Sequence, residues 1–298
     1  MTRKKLFLAL ATFSLLFTSC DNDDDNVPSK KNLTVNITGL EGLGSDYVYE
    51  GWIIVNGAPV STGTFSDVTT GQTFSVDATQ LDAATKFVLS IEPAGETGTA
   101  AATPSDTKLV IGDFSGNSAS VSVGTVGDFT TATPAGKFFL RSPTDEATGN
   151  NGNDESGIWF GTPGAPPSPA FTLPALEAGW KYEGWVVVDG QGPLSTGTFT
   201  AFDVADENAG DATSFSGTEN AGPPIPGEDF FNNAPSGFTF PLDIRGKTVV
   251  ISVEPSPDNS PTPFLLKPLK GTAGNDTAPT AYDLAFDNAS FPSGTVTR

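Results

Sequence analysis

The stretch YEGWIIVNGAPVSTGTF at 49–65 recurs as YEGWVVVDGQGPLSTGTF at 182–199, with one residue inserted in the second copy. A second pair of matching stretches follows at a variable distance, FVLSIEP at 87–93 and VVISVEP at 249–255. Because both matches occur twice and in the same order, the sequence predicts two cores built on one plan.

Each copy of the longer stretch predicts a β-hairpin. Residues 47–55 are apolar on both faces of the strand alternation, which indicates a strand covered on two sides. Asn56-Gly57 and Asp189-Gly190 then supply hairpin signals, and since both pairs tolerate positive φ the same turn is predicted twice. Strands are predicted at 33–37, 47–55, 59–65, 72–76, 86–91, 107–111, 118–123, 137–141, 157–160, 170–173, 182–188, 193–199 and 249–255.

The N-terminal residues have the organisation of an export signal. Three basic residues at 3–5 precede the apolar run 6–17, which is too short to span a bilayer. The next residues resemble the lipobox of bacterial lipoproteins, with Phe17 where Leu is usual. The resemblance implies cleavage before Cys20 and attachment to the membrane through lipid on that residue. An ordinary secretory peptide with an incidental cysteine is the alternative.

An acidic cluster follows Cys20 directly. The cluster consists of Asp21, Asp23, Asp24 and Asp25. It resembles the surface-export signal of Bacteroidota lipoproteins, which implies display on the outer face of the outer membrane. A position facing the periplasm is the alternative. The segment 21–31 has almost no large apolar side chain, so we expect a flexible acidic tether.

The remaining chain has the composition of an all-β protein. It is rich in Gly and Pro, Val, Thr, Phe and Ile recur in short runs, and no segment shows a long helical period. One short helical turn is predicted at 78–85. We therefore expect two tandem β-sandwich domains. The predicted segments are a signal peptide at 1–19, the lipidated cysteine and linker at 20–31, a first repeat at 32–133, and a second repeat at 134–298 with an insertion at about 201–242.

Charge and composition exclude several classes of function. The formal net charge is −20, and removal of the basic leader makes it more negative, which argues against binding nucleic acid or anionic lipid through charge. The single cysteine permits no intramolecular disulfide. The absence of histidine excludes Ser-His-Asp triads and imidazole metal sites. We expect no enzymatic activity, no catalytic residue, no metal site and no cofactor.

The doubled pattern, Tyr-x-x-Trp followed by Gly, Pro, Ser, Gly and Phe and later by Glu-Pro, resembles the C-terminal, extracytoplasmic domain of anti-sigma-K factors. The matching residues are Tyr49, Trp52, Gly57, Pro59, Ser61, Gly63, Phe65, Glu92 and Pro93, then Tyr182, Trp185, Gly190, Pro193, Ser195, Gly197, Phe199, Glu254 and Pro255. The resemblance implies a β-sandwich of sensing or structural use and carries over no catalytic residue. Members hold their sigma factor with a cytoplasmic helical module ahead of a transmembrane helix. Neither is recognised here, so direct sigma-factor binding is not expected.

Four recurrent glutamates are the candidate reactive groups. Glu50 with Glu92, and Glu183 with Glu254, would supply the paired carboxylates of a glycosidase. The alternative is structural, in which each glutamate closes a strand end or binds a neighbouring backbone amide. We favour the structural alternative, because Glu-Pro at a strand end is explained by turn geometry.

Four tryptophans are candidate platforms for sugar rings. Trp52 and Trp185 lie in mid-strand within apolar runs, which favours burial in the core. Trp159 and Trp180 lie near loops and are the better candidates for ligand binding.

Two loops are rich in side-chain oxygens. The segment 145–155 could supply several calcium ligands but lacks the spacing of an EF-hand, so we favour a solvated acidic loop. The segment 203–211 has the same ambiguity. The insertion 201–242 also carries phenylalanines at 215, 230, 231, 238 and 240, which predicts that it packs against its domain.

These observations predict a non-enzymatic, lipid-anchored cell-envelope protein that acts in interaction, sensing or envelope structure. Its partner would be an envelope protein or a glycan. The alternatives are a surface glycan-binding lipoprotein and a regulatory partner of an extracytoplasmic sigma-factor pathway. We expect specialised function where the copies differ, in 142–156 and 201–242.

Overall fold

The computed structural model describes residues 29–131, 133–207, 215–257 and 260–298. Cys20 and the acidic cluster behind it lie outside the described residues. Within the described part the regular elements are strands, apart from one short α-helix and three 3-10 turns. The expected all-β class is confirmed. No helix of the described residues is long and apolar enough to cross a membrane.

The strands follow the repeated sequence closely. The elements before residue 131 are β1 (Lys30–Thr38), β2 (Tyr47–Val55), β3 (Ala58–Phe65), β4 (Gln72–Asp77), α1 (Ala78–Ala83), β5 (Lys86–Pro93), β6 (Lys108–Ser115) and β7 (Ser118–Val121). The later elements are β8 (Ala135–Leu140), β9 (Gly157–Trp159), β10 (Phe171–Thr172), β11 (Trp180–Val188), β12 (Gly192–Phe199), β13 (Gly227–Asp229), β14 (Thr248–Pro255), β15 (Leu266–Thr272), β16 (Ala281–Phe286) and β17 (Ser293–Thr297).

The strands form two sheets, each nearly closed on itself. The first has the order β3-β2-β5-β6-β7-β17-β1-β4. Its two ends approach each other, since the ring of Phe65 on β3 lies 5.7 Å from that of Phe74 on β4. The second has the order β12-β11-β14-β15-β16-β8-β9-β13, and β10 pairs beside it with β8. Curving a sheet in this way buries one face along its whole width.

The strand β17 belongs to the first sheet although it follows the second domain in sequence. It pairs antiparallel with both β1 and β7, and Val296 lies opposite Val35 on one side and Ala119 on the other. Val296 is fully buried. Without β17 the facing edges of β1 and β7 would present unpaired backbone groups. The predicted second repeat, 134–298, is corrected accordingly, because the strands of the second sheet end with β16.

Both domains place their strands in the same spatial order. The run β3-β2-β5-β6-β7 corresponds to β12-β11-β14-β15-β16, and β1-β4 corresponds to β9-β13. The remaining position is filled by β17 in the first domain and by β8 in the second. The strand that opens the second domain is therefore equivalent in position to the strand that completes the first.

The two hairpins differ at their turns. The first has a two-residue turn in which Asn56 has φ 51° and Gly57 has φ 81°. The second has three residues between its strands, and positive φ occurs at Gly190 but not at Asp189. The prediction of one common turn is wrong, because the inserted residue lengthens the second turn and confines positive φ to glycine.

The two domains pack directly against each other. The Glu177 amide donates to the Val126 carbonyl at 3.0 Å. Gly179 has φ 86°, and a Cβ at this position would lie 2.8 Å from the carbonyl carbon of Asp106. Only glycine allows so close an approach in that conformation. A single apolar cluster contains buried residues of both domains, which indicates a continuous core.

Candidate functional site

The first domain contains a chain of buried hydrogen bonds that starts at Trp52. Its indole Nε1 donates to Ser90 Oγ at 2.8 Å, and that hydroxyl donates to the carboxylate of Glu92. The same carboxylate accepts the backbone amide of Ser105 at 2.9 Å. Trp52, Ser90 and Glu92 are at most 2% exposed. The network therefore ties the loop before β6 to the end of β5.

The second domain repeats this network. Trp185 Nε1 donates to Ser252 Oγ at 2.7 Å, and the hydroxyl donates to Glu254. The carboxylate of Glu254 accepts the amide of Phe264 at 2.9 and 3.1 Å. Burial of Trp52 and Trp185 confirms the core interpretation of both indoles. The contacts also confirm that Glu92 and Glu254 bind neighbouring backbone amides.

The other pair of glutamates binds the returning strands. Ser61 Oγ donates to Glu50, and Ser195 Oγ donates to Glu183. Burial raises the pKa of Glu50, while the Ser61 hydroxyl lowers it and nearby Glu92 raises it again. Both carboxylates are at most 7% exposed and are held by internal donors, so neither pair presents a free acid and base to solvent.

A cleft of about 660 Å³ lies between the two domains. The lining residues of the first domain include 41–44, Pro93 and 105–107, and those of the second include 254–257, Ser260 and 262–264. Ser105 and Phe264, whose amides are bound by Glu92 and Glu254, line this cleft from opposite domains. The duplicated network thus shapes both walls of one shared cavity.

Two acidic residues of the cleft lining, Glu41 and Asp106, are paired with lysines. Lys267 Nζ lies 4.0 Å from the Glu41 carboxylate, which is an ion pair between the domains. Lys108 Nζ donates to the Ser105 carbonyl at 2.8 Å and lies 4.0 Å from Asp106. Such partly exposed pairs contribute about 0–1 kcal/mol each. Half of the lining residues are Pro, Ser or Thr, and the charged ones are all acidic, namely Glu41, Asp106 and Glu254.

A second polar centre surrounds Asp229 on β13. Its Oδ2 accepts the amide and the hydroxyl of Thr144 at 2.8 and 2.6 Å, and its Oδ1 accepts Trp159 Nε1 at 3.0 Å. Asp229 is fully buried. Burial raises the pKa of Asp229 to about 7, although these hydrogen bonds lower it, and Glu228 raises it further. This one carboxylate joins the loop 142–146 to β9 and β13.

The described part of the insertion packs against this centre. Ser216 Oγ donates to buried Glu228, and the Gly227 amide donates to buried Asp206 at 2.8 Å. The Phe215 ring lies 5.9 Å from that of Phe230 and 5.3 Å from that of Phe240. The prediction that the phenylalanines pack against the domain is confirmed for these three.

The structure places Trp159 and Trp180 in the interior. They are 1% and 3% exposed, and Trp180 packs behind Phe264 with ring centres 5.9 Å apart. Neither can stack on a sugar ring from solvent, so their prediction as ligand-binding residues is corrected. The physical reason is that each lies in a strand whose two faces are both covered.

Sequence reasoning missed the cleft and the Asp229 centre. The cleft depends on how the domains pack, which no local pattern encodes. A signal for Asp229 existed, since the acidic pair Glu228-Asp229 lies between Ile225 and the phenylalanines at 230–231. Acidic residues inside a short apolar stretch indicate burial with partners. Among the described residues, no three His, Cys, Asp or Glu side chains form a group that could hold a metal ion.

Comparison with known proteins supports the resemblance of the first copy. Residues 26–107 match the family model described as anti-sigma-K factor rskA, C-terminal. An anti-sigma-K factor C-terminal domain is therefore present in this chain. It spans β1 to β5 and includes both repeated stretches of the first domain, 49–65 and 87–93. No curated protein and no solved structure matches the chain.

Proposed function

We propose that this protein is a non-enzymatic, lipid-anchored component of the cell envelope that binds a partner in the cleft between its two β domains. The observation that carries the proposal is the use of one duplicated network to build both walls of that cleft. Since the four recurrent glutamates are engaged as supports, the cavity offers surface for recognition rather than a reacting pair of acids.

The matched family domain supports a sensing or regulatory role. Trp52, Ser90 and Glu92, which lie within the matched residues, hold the loop at Ser105 against the cleft. A partner that binds the cleft would contact both domains, so binding would be coupled to their packing. An envelope protein with an extended segment is the partner class that such a Pro-, Ser- and Thr-lined cavity suits best.

Site-specific photo-crosslinking in cells tests the binding site. A photoreactive amino acid at Thr262, in the cleft, should give a crosslinked adduct of defined mass. The matched control is the same amino acid at Ala58, which is exposed at the start of β3 and lies outside the cleft lining. Equal crosslinking at both positions, or none at Thr262, would remove the cleft as the binding site.

The lipid anchor and its location need separate experiments. Metabolic labelling with palmitate should mark the natural chain and not a Cys20→Ala variant, and equal labelling of both would refute the anchor. The acidic cluster, Asp21 to Asp25, predicts surface display in the manner of Bacteroidota lipoproteins. Proteinase added to intact cells should then digest the protein, whereas digestion only after lysis would place it facing the periplasm.

A second candidate function is a regulatory partner in an extracytoplasmic sigma-factor pathway. The match of residues 26–107 to an anti-sigma factor domain favours it. Deletion of the gene should then change transcription from promoters dependent on such a sigma factor, and a chain with a blocked cleft should fail to restore it. Unchanged transcription in the deletion strain would leave only the first candidate. The burial of Trp159 and Trp180 argues against the glycan-binding alternative.

A further inference from the structure

The described chain enters the first sheet at one end of that sheet. Ser29 is the first described residue, and its carbonyl accepts the Ala78 amide at 2.7 Å beside the start of β1. The strand registers place the hairpin turn at 56–57 and the turn at 116–117 at this same end. This part of the first domain is the Ser29 end.

The opposite end of the same sheet carries the cleft. Tyr47 at the start of β2 pairs with Pro93 at the end of β5, and both line the cleft. The lining residues 41–44 and 105–107 lie in the loops that lead into β2 and β6 at this end. A strand rises about 3.3 Å per residue, so β1 separates the two ends by about 26 Å along the strand, or about 20 Å along the sheet axis at a tilt of roughly 40°.

The second domain is joined to the first at the cleft end. Gly179 closely approaches the Asp106 carbonyl there. The ion pair between Lys267 and Glu41 lies at the same end. The first domain therefore separates its own Ser29 end from the cleft and from the second domain.

A lipid on Cys20 would hold the molecule by the Ser29 end. Cys20 precedes Ser29 by nine positions, which span at most about 30 Å when fully extended. Among the described residues, the only large apolar side chain that is largely exposed is Val204, in the second domain. The described surface thus offers no broad apolar face for insertion into a bilayer. The formal net charge of −20 adds repulsion from an anionic lipid surface.

We propose that the first domain holds the cleft away from the membrane, and that the cleft receives an extended polypeptide segment of a partner outside the bilayer. This inference rests on the proposed anchor and cleft binding, and it adds the side from which the partner arrives. With the Ser29 end toward the membrane, the cleft lies between about 20 Å and about 50 Å from the lipid, depending on the extension of the linker. Lipid headgroups and membrane-spanning segments do not reach it there.

Energy transfer from labelled protein to lipid tests this position. Because Cys20 is the only cysteine and its sulfur would carry the lipid, an introduced cysteine is available for a fluorescent label. Asn117→Cys and Ala58→Cys place the label at exposed positions of the Ser29 end, and Thr262→Cys places it in the cleft. The full lipidated chain is bound to phosphatidylcholine vesicles that contain an acceptor dye on a lipid headgroup.

We expect transfer at least about twofold stronger from Asn117 and Ala58 than from Thr262, because about 20 Å separates the two ends. Two positions at the Ser29 end keep the test valid if one variant fails to fold. Equal transfer from all three positions, or stronger transfer from Thr262, would overturn the proposal. The same labelled chains with Cys20→Ala are the control and should give no transfer. Transfer retained without Cys20 would show that another surface binds lipid, which also contradicts the proposal.

The partner class is tested by mass spectrometry of the adduct formed by a photoreactive amino acid at Thr262 in cells. A peptide from a protein region outside the bilayer is expected. A lipid, a glycan or a membrane-spanning peptide would overturn the stated partner. If no adduct forms, the cleft is not the binding site, whereas the energy-transfer result depends only on the fold and the anchor. Failure of the proposed function and failure of the proposed orientation are therefore distinguishable.

Discussion

The two β domains share one order of strands, but the strand that fills one position of that order comes from a different place in the sequence in each domain. In the second domain that position is filled by β8, which precedes the rest of its sheet, and in the first by β17, which arrives after the second domain is complete. The second domain is thus continuous in sequence and the first is not. A repeated motif can therefore specify equal sheets while the chain connects them differently.

The comparison extends to what each domain buries. Both contain the Trp-Ser-Glu network, which leads from Trp52 to Glu92 and from Trp185 to Glu254. Only in the second does the described chain add an insertion whose acids are buried around Asp229. The shared network supports the cleft, whereas the added centre stabilises one domain alone. The predictions that follow separate these contributions.

The largest expected effect comes from β17. Val296→Asp would place an unpaired charge at a fully buried position and should cost about 3–5 kcal/mol. Hydrogen exchange should show lost protection in β1 and β7 and retained protection in β11 and β14. Ser293→Asp, on the exposed end of the same strand, should change little. Equal loss in both sheets would show that the domains unfold as one unit.

The shared network should respond equally in both domains. Glu92→Ala leaves Ser90 Oγ and the Ser105 amide without their acceptor, and Glu254→Ala does the same to its own partners. Each change should cost about 2–4 kcal/mol, measured by urea unfolding. Exposed Glu177 is the control, and its alanine variant should lie within about 0.5 kcal/mol of the natural chain. A large cost in only one domain would break the equivalence of the two networks.

A pH dependence should distinguish the second domain. Because the folded pKa of Asp229, about 7, is above the ordinary value of 3.8, the folded state binds this proton more tightly than the unfolded chain. The stability that this bound proton contributes, about 2–4 kcal/mol, is fully present below about pH 4 and is lost as the pH rises through 7. Asp229→Asn should flatten the dependence of the unfolding free energy on pH, which urea unfolding at several pH values measures. An unchanged slope in the variant would assign the dependence to other acids, and Asp203→Asn is the exposed control.

The smallest effects are expected at the turns. Gly57→Ala should destabilise the first domain by about 1 kcal/mol, since φ 81° is strained for a residue with a Cβ. Asp189→Ala should be nearly neutral, because Asp189 lacks positive φ. Thermal unfolding of the two variants measures the difference. Similar costs at both turns would contradict the assignment of different turn geometries.

The hairpins and the Glu-Pro strands were predictable because their signals are local. Alternating apolar residues, Asn-Gly at the turn and the internal sequence repeat all indicate the same elements. The strands β15 to β17 were not predicted, and β17 shows why. Its sequence, SGTVT, is short and polar apart from Val296, and nothing within it indicates pairing with residues more than 250 positions earlier.

The candidate site was less predictable than the fold. The sequence correctly favoured Glu92 and Glu254 as acceptors of backbone amides, because a Glu-Pro pair at a strand end has a local explanation. The sequence could not indicate that the loops held by these two glutamates line one cleft, since this depends on the packing of one domain on the other. Trp159 and Trp180 were misjudged because proximity to a loop was taken for exposure, whereas both are covered.

The late arrival of β17 has a consequence for how the protein is made. The Thr38 hydroxyl donates to the Ser293 carbonyl, a contact that closes a loop of 255 residues. A chain exported from its N-terminus therefore delivers every strand of the second domain before the last strand of the first. The second domain can fold while β1 and β7 of the first domain still lack their partner strand. The part of the protein nearest the predicted anchor is then the last to become resistant to proteases during its biogenesis.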